Sequence, residues 1–132
     1  MNKLNQELME KVNTSIPRPG TVVRKTGLLE KIASYVEENL VGRITLKGVA
    51  DHCGVSVSTV TQLFQKCLGT TFHQYLTNCR MDAARTLIRD GVPLEEVGRQ
   101  VGYSDHSTFY RAFRRFFGMS PRDYKKQQAG EL

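Results

Sequence analysis

Apolar side chains return every three to four positions along most of this chain, the period of amphipathic helices. Strand-like alternation with hairpin chemistry is missing, so the pattern predicts an all-α fold of seven helices. The first begins near Thr26: Leu28, Leu29, Ile32, Val36 and Leu40 line one face, Glu37 and Glu38 lie outside it, and Asn39 to Gly42 end it. Thr45 caps a short second helix, Leu46 to Cys53, which buries Leu46, Val49, Ala50 and Cys53 and closes at Gly54, where a left-handed residue is expected. Ser56 or Ser58 caps a third helix to about Leu68, with Val60, Leu63, Phe64 and Leu68 inward, and Gly69 stops it. Thr70 or Thr71 opens a fourth, about twenty residues long, that ends at Asp90-Gly91; its expected inward face is Phe72, Leu76, Cys79, Ala83 and Leu87. Pro93 begins a fifth, with Glu95 and Glu96 in the first turn, where the helix dipole favours acids, and Gly102 ends it. Ser104 or Asp105 caps a sixth helix to Phe117, Gly118 ends that one, and Ser120-Pro121 starts a short seventh.

Residues 1–25 stand apart from this pattern. They hold no aromatic residue and carry the helix-breaking run Pro17-Arg18-Pro19-Gly20. Leu4, Leu8 and Val12 recur every four positions, so a short amphipathic helix before the break is expected, either as part of a tail or linker or as a stub that docks on the domain or on a second copy. Residues 127–132 read as a C-terminal tail.

The second and third helices resemble the fifth and sixth. At an offset of 48, Leu46 matches Leu94, Val49 matches Val97, Gly54 matches Gly102 and Ser56 matches Ser104. After one extra residue the offset is 49: Val60 matches Phe109, Phe64 matches Phe113, Leu68 matches Phe117, Gly69 matches Gly118 and Tyr75 matches Tyr124. Short helix, glycine turn, capped helix is a helix-turn-helix, here present twice. The small residues Ala50 and Gly98 would let the paired helices cross closely. A plain helical bundle could carry the same units. Spacing favours more: about twenty residues of α-helix span about 30 Å, close to the roughly 34 Å between successive major-groove faces on one side of B-DNA.

Charge bears on the partner. Lys and Arg number 19 against 13 acids, a net +6. From His106 to Lys126 six cations face one acid, so this aromatic-rich stretch holds an excess of +5, close to the whole-chain value. Such a helix is either a packed helix with a solvated basic face or one that contacts phosphate. No apolar run approaches the roughly 18 residues that span a bilayer, and Met1 to Val12 has no apolar signal segment. The three cysteines, Cys53, Cys67 and Cys79, are widely spaced and form no CxxC pair, which fits free thiols in a reducing cytoplasm.

The stretch Val97-Gly98-Arg99-Gln100-Val101-Gly102-Tyr103-Ser104-Asp105-His106-Ser107-Thr108-Phe109-Tyr110-Arg111-Ala112-Phe113-Arg114-Arg115-Phe116-Phe117-Gly118-Met119-Ser120-Pro121-Arg122-Asp123-Tyr124 resembles the second helix-turn-helix of AraC/XylS-type transcription regulators. Phe64, Gly69, Tyr75 and Arg80 also stand where similar proteins have them, and the likeness runs from about Leu28 to Lys125. The resemblance implies two reading heads on adjacent major grooves of double-stranded DNA and control of transcription through contact with RNA polymerase. A nucleoid-associated cytoplasmic protein is expected, with no cofactor. It places a DNA-binding domain at 26–126, with helix-turn-helix units at 45–69 and 93–118 and a connecting helix at 71–90. Family members are often about twice this length, so the chain is a stand-alone regulator or part of a longer one. One chain with two heads could bind as a monomer, and a dimer stays open.

By the same resemblance, the third helix would present Ser58, Thr59, Thr61, Gln62 and Gln65 to bases, with Gln62 suited to adenine and Lys66 to phosphate. Many similar proteins have Arg where Gln62 stands. The sixth helix would present His106, Ser107, Tyr110 and Arg111; Arg111 suits guanine, or else a phosphate or a surface ion pair. Arg114, Arg115, Arg122 and Lys125 read as phosphate contacts or as solvated surface. Phe109, Phe113 and Phe117 read as core.

Other chemistries find little support. His52, Cys53, Cys67, His73 and Cys79 match no zinc spacing, so no metal is expected. No phosphate-binding glycine loop, GxSxG or HExxH occurs, and Asp51, Asp82, Asp105 and Asp123 have no partner at an acid–base spacing. An enzyme is not expected. The competing function is a helix-turn-helix module that docks on another regulator or on polymerase without reading DNA, which the cation-poor third helix keeps open.

Overall fold

The computed structural model describes residues 19–130, with side chains from residue 27 onward. The helix expected on Leu4, Leu8 and Val12 lies outside the described residues. Within them the chain forms α1 (Pro19–Glu38), α2 (Leu46–Cys53), α3 (Val57–Leu68), α4 (Phe72–Arg89), α5 (Leu94–Gln100), α6 (His106–Phe117) and α7 (Pro121–Gln128), with no strand. Helix α1 starts at Pro19, earlier than the expected Thr26. Proline ends helices but suits their first turn, where its missing N–H has no acceptor to serve.

Two compact units divide the chain. The first holds the described residues to Asn39 with Arg43–Cys79; the second holds Leu40–Gly42 with the described residues from Arg80. Helix α4 contributes its first half to one and its second half to the other. This corrects its inward face. Phe72, Tyr75, Leu76 and Cys79 are buried in the first half, but in the second half burial falls on Met81, Ala84 and Ile88, and Ala83 and Leu87 are half-buried. A single stripe presumes a single core, and this helix serves two.

In the first unit, the buried set takes Leu29, Ile32 and Val36 from α1, Val49 and Ala50 from α2, and Val60, Leu63, Phe64 and Leu68 from α3. Leu28, Leu46 and Cys53 are half-buried, so the edges of α1 and both ends of α2 reach the surface of the unit. The Phe64 ring packs on Phe72 and Tyr75 at 5.6 and 5.2 Å between centroids. In the second unit, Met81, Ala84, Ile88, Val97, Val101, Phe109, Phe113 and Tyr124 form one cluster. Phe117, expected as core, packs against that cluster while half-buried.

The repeat is visible in hydrogen bonds. Val55 N–H donates to Ala50 O and Tyr103 N–H to Gly98 O; Gly54 N–H donates to Asp51 O and Gly102 N–H to Arg99 O. Both glycines take positive φ, +69° at Gly54 and +98° at Gly102, where a Cβ is disfavoured. The cap then corrects the alignment. Ser56 Oγ accepts from Thr59 N–H, and the equivalent acceptor is Asp105, from Thr108 N–H, rather than Ser104. The extra residue of the second copy therefore sits in the turn, ahead of the cap. The likeness also continues past the second helix. Thr71 Oγ1 accepts from Gln74 N–H as Ser120 Oγ accepts from Asp123 N–H, and Tyr75 packs on Phe64 as Tyr124 packs on Phe113. Each copy is thus helix, helix and the start of a third.

Candidate nucleic-acid interface

Each unit exposes one face of its capped helix. On α3, Ser58, Gln62 and Gln65 recur at i, i+4 and i+7, so they share a face, and all three are exposed. Gln62 Nε2 donates to Ser58 Oγ at 3.4 Å, a long bond that a better partner could displace. Lys66 is exposed beside this face and Thr61 is half-buried. Thr59 is exposed too, but its hydroxyl lies 2.9 Å from Ser56 Oγ, inside the cap.

On α6, Ser107, Arg111 and Arg114 make the corresponding face, with Arg115 beside it; all are exposed. At the offset of 49, Ser107 answers Ser58, Arg111 answers Gln62, Arg114 answers Gln65 and Arg115 answers Lys66. One geometry thus carries an almost uncharged surface in the first unit and three guanidiniums in the second. Among the described residues the ion pairs are Lys47 with Asp51, Arg85 with Asp82 and Arg99 with Glu96, and none engages these three arginines. They are available to an anion.

The start of α6 is held firmly. Asp105 accepts Thr108 N–H at 2.8 Å and the Thr108 hydroxyl at 3.0 and 2.9 Å. These bonds, with the Arg111 guanidinium adding a smaller pull, hold the Asp105 carboxyl below its ordinary range. Behind the cap, Arg80 Nη1 donates to Gly102 O at 3.2 Å and Nη2 to Gly42 O at 3.4 Å, while the guanidinium stands 5.6 Å from the Tyr103 ring centre. Burial raises the Tyr103 phenol and Arg80 opposes the rise. In the first unit, burial pushes the Tyr75 phenol up strongly, so it stays neutral within the core.

A cleft of about 800 Å³ lies between the starts of α5, α6 and α7, and brings exposed His106 and half-buried Tyr110 beside Arg122 and Lys125 of α7. Two of the residues expected to face bases thus share a cleft with two of those expected to face phosphate, and the acids Glu95 and Asp123 line it as well. Sequence reasoning passed over Val57. It is 41% exposed at the first position of α3, and the repeat offset, which sets it opposite His106, was the available signal. Among the described residues no His, Cys, Asp or Glu side chains gather in a metal-holding group, and no helix is long and apolar enough to cross a membrane.

A family model described as a helix-turn-helix domain matches residues 49–127. The chain is 31% identical over 113 residues to the uncharacterized HTH-type transcriptional regulator YijO of Escherichia coli, an overlap of 85% of this chain and 40% of that protein. It is 36% identical over 109 residues to the transcriptional activator NphR of a Rhodococcus species, covering 81% of this chain and 32% of that one. The chain therefore spans two fifths or less of the length of these relatives. Among solved structures, a transcriptional regulator with an AraC-type DNA-binding domain from Chromobacterium violaceum matches with TM-score 0.72 at 27% identity, over 78% of this chain and 93% of that one. The DNA-binding domain of AdpA, solved in complex with a target DNA, shares the fold at TM-score 0.71 and 23% identity, over the same shares. With two capped helix-turn-helix units and these matches, the chain belongs to the AraC-type helix-turn-helix family of transcription regulators.

Proposed function

We propose that this chain binds double-stranded DNA sequence-specifically, with α3 and α6 each in a major groove, and regulates transcription. The observation that carries this is the exposed face of α6: Ser107, Arg111, Arg114 and Arg115 on a rigidly capped helix, with no carboxylate paired to the arginines. An isolated basic face would suit any polyanion. Here it recurs in register with the exposed face of α3, as expected of two heads built for related tasks.

In this reading Arg111 pairs with guanine, and Ser107, His106 and Tyr110 complete the base contacts of the second unit. Arg114, Arg115, Arg122 and Lys125 neutralise phosphates, and Lys66 does so in the first unit. Ser58, Thr61, Gln62 and Gln65 face bases there. Thr59 leaves the reading set, because its hydroxyl serves the Ser56 cap. The second unit supplies most of the electrostatic attraction, and the first supplies discrimination at lower affinity. Contact with RNA polymerase belongs to the same reading and rests on kinship with a named transcriptional activator. A single copy with two heads suffices for binding.

Selection of preferred sites from random duplexes, followed by titration across salt concentrations, tests the proposal. The expected result is a defined site whose affinity falls steeply with salt as phosphate contacts release counterions. Binding that leaves all duplexes equal would favour a module that docks on another regulator or on polymerase.

A further inference from the structure

The geometry points to α3 as a reader of thymine methyl groups, through Val57 and Thr61. This rests on the DNA-binding reading above and gives the first unit a chemical class of target: A·T-rich sequence recognised by its C5-methyls.

Among the described residues, the exposed large hydrophobic side chains are Val41 and Val57. A lone exposed valine means little. Val57, however, occupies the first helical position after the Ser56 cap, and the N-terminal residues of a reading helix are those that meet base edges. Thr61, half-buried, lies one turn further along, four residues on, so its side chain and that of Val57 belong to the same strip. The neighbouring strip is Ser58, Gln62 and Gln65, which carries donors and acceptors without charge. A surface of methyls beside amides complements an A·T pair in the major groove, where thymine offers a methyl and adenine offers N7 and N6 to a glutamine. It fits a G·C pair less well, because no cation stands on the first two turns of the strip to meet guanine O6 and N7; Lys66, the cation of α3, sits in the helix's last turn.

The repeat sharpens the contrast. The residue equivalent to Val57 is His106, and the one equivalent to Thr61 is Tyr110, both polar. The methyl strip is thus a property of the first unit and not of the shared fold. With Gln62 where the second unit has Arg111, the two heads are expected to read different base compositions.

The experiment uses the full chain and the duplex obtained by selection. Each thymine is replaced singly by deoxyuridine, which removes only the C5-methyl and keeps Watson–Crick pairing. At one or two thymines the wild-type chain is expected to lose about three- to five-fold in affinity, the equivalent of one buried methyl-sized group. Val57→Ala is expected to weaken binding to the unmodified duplex by a similar factor and to lose sensitivity to deoxyuridine at the same positions. Arg111→Ala, in the other unit, is expected to keep that sensitivity. Thermal melting of the variants checks folding, and the deoxyuridine series on wild-type protein stands without any variant. Specific, salt-dependent binding that ignores every deoxyuridine replacement overturns the methyl inference and leaves DNA reading intact. So does an unchanged deoxyuridine penalty in Val57→Ala. Absence of any sequence preference overturns both.

Discussion

A Cβ placed on Gly98 would stand 2.8 Å from Cγ and 2.9 Å from Cβ of Phe109. Helices α5 and α6 therefore meet backbone to ring, with no space for a methyl group. Phe109 is fully buried and cannot swing aside, so the close approach sets how the helix carrying Arg111 leaves its turn. The matched pair in the first unit is Ala50 and Val60, a larger residue against a smaller one.

Gly98→Ala is expected to destabilise the second unit by about 1–3 kcal/mol, the usual cost of forcing extra volume into a packed core. Thermal unfolding followed by circular dichroism measures this. An unchanged melting temperature would mean that Phe109 has room to move away from α5.

Arg80 gives a second prediction. Arg80→Met removes the bonds to Gly102 O and Gly42 O, and a loss of about 1–3 kcal/mol follows from leaving carbonyls without a charged donor. Removing the guanidinium also takes away the influence that opposes the raised Tyr103 phenol. Ultraviolet titration should then show that phenol ionising at higher pH than in the wild type. A titration that does not move would separate Arg80 from Tyr103.

The Asp105 cap links stability to acid. Its carboxyl is held below the ordinary value of 3.8 by bonds to Thr108. A group depressed in the folded state adds stability that is complete above the unfolded value. That stability is lost as pH falls through the lowered folded value. Wild-type protein should therefore shed this contribution only below about pH 4. Asp105→Asn keeps an acceptor for Thr108 N–H but cannot ionise, so the difference in stability between the two proteins should shrink in that acid range. A difference that stays constant from pH 7 to pH 3 would rule out the linkage.

On DNA, Arg111→Ala and Arg114→Ala are expected to differ in kind. The first should cost about 1–3 kcal/mol on the preferred site and much less on unrelated duplex, as loss of a bidentate base contact does. The second should weaken both and reduce the slope of log affinity against log salt by about one. Equal behaviour of the two variants would undo the division between base and phosphate roles.

Helix ends were legible because they are local. A threonine, serine or aspartate before an apolar run satisfies N–H groups two or three residues ahead, and a glycine after it accepts positive φ; both depend on neighbours within about four positions. That is why Thr45, Gly54, Gly69 and Ser120 could be assigned from sequence alone, and why the doubled unit was visible. Local rules also left choices open, and the hydrogen bonds resolved them: Ser56 over Ser58, Thr71 over Thr70, Asp105 over Ser104.

By itself, then, the order of residues determined the helices, those caps for which a single candidate stood, the repeated motif and the concentration of cations on α6. Tertiary structure alone decided which sides of α4 are buried, since that depends on two separate cores meeting one helix. It also decided that Thr59 is occupied by a cap, that Gly98 lies against Phe109, and that His106 and Tyr110 share a cleft with α7. These are contacts between residues far apart in the chain or competing for one partner, and periodicity records only which residues prefer burial, not what they are buried against.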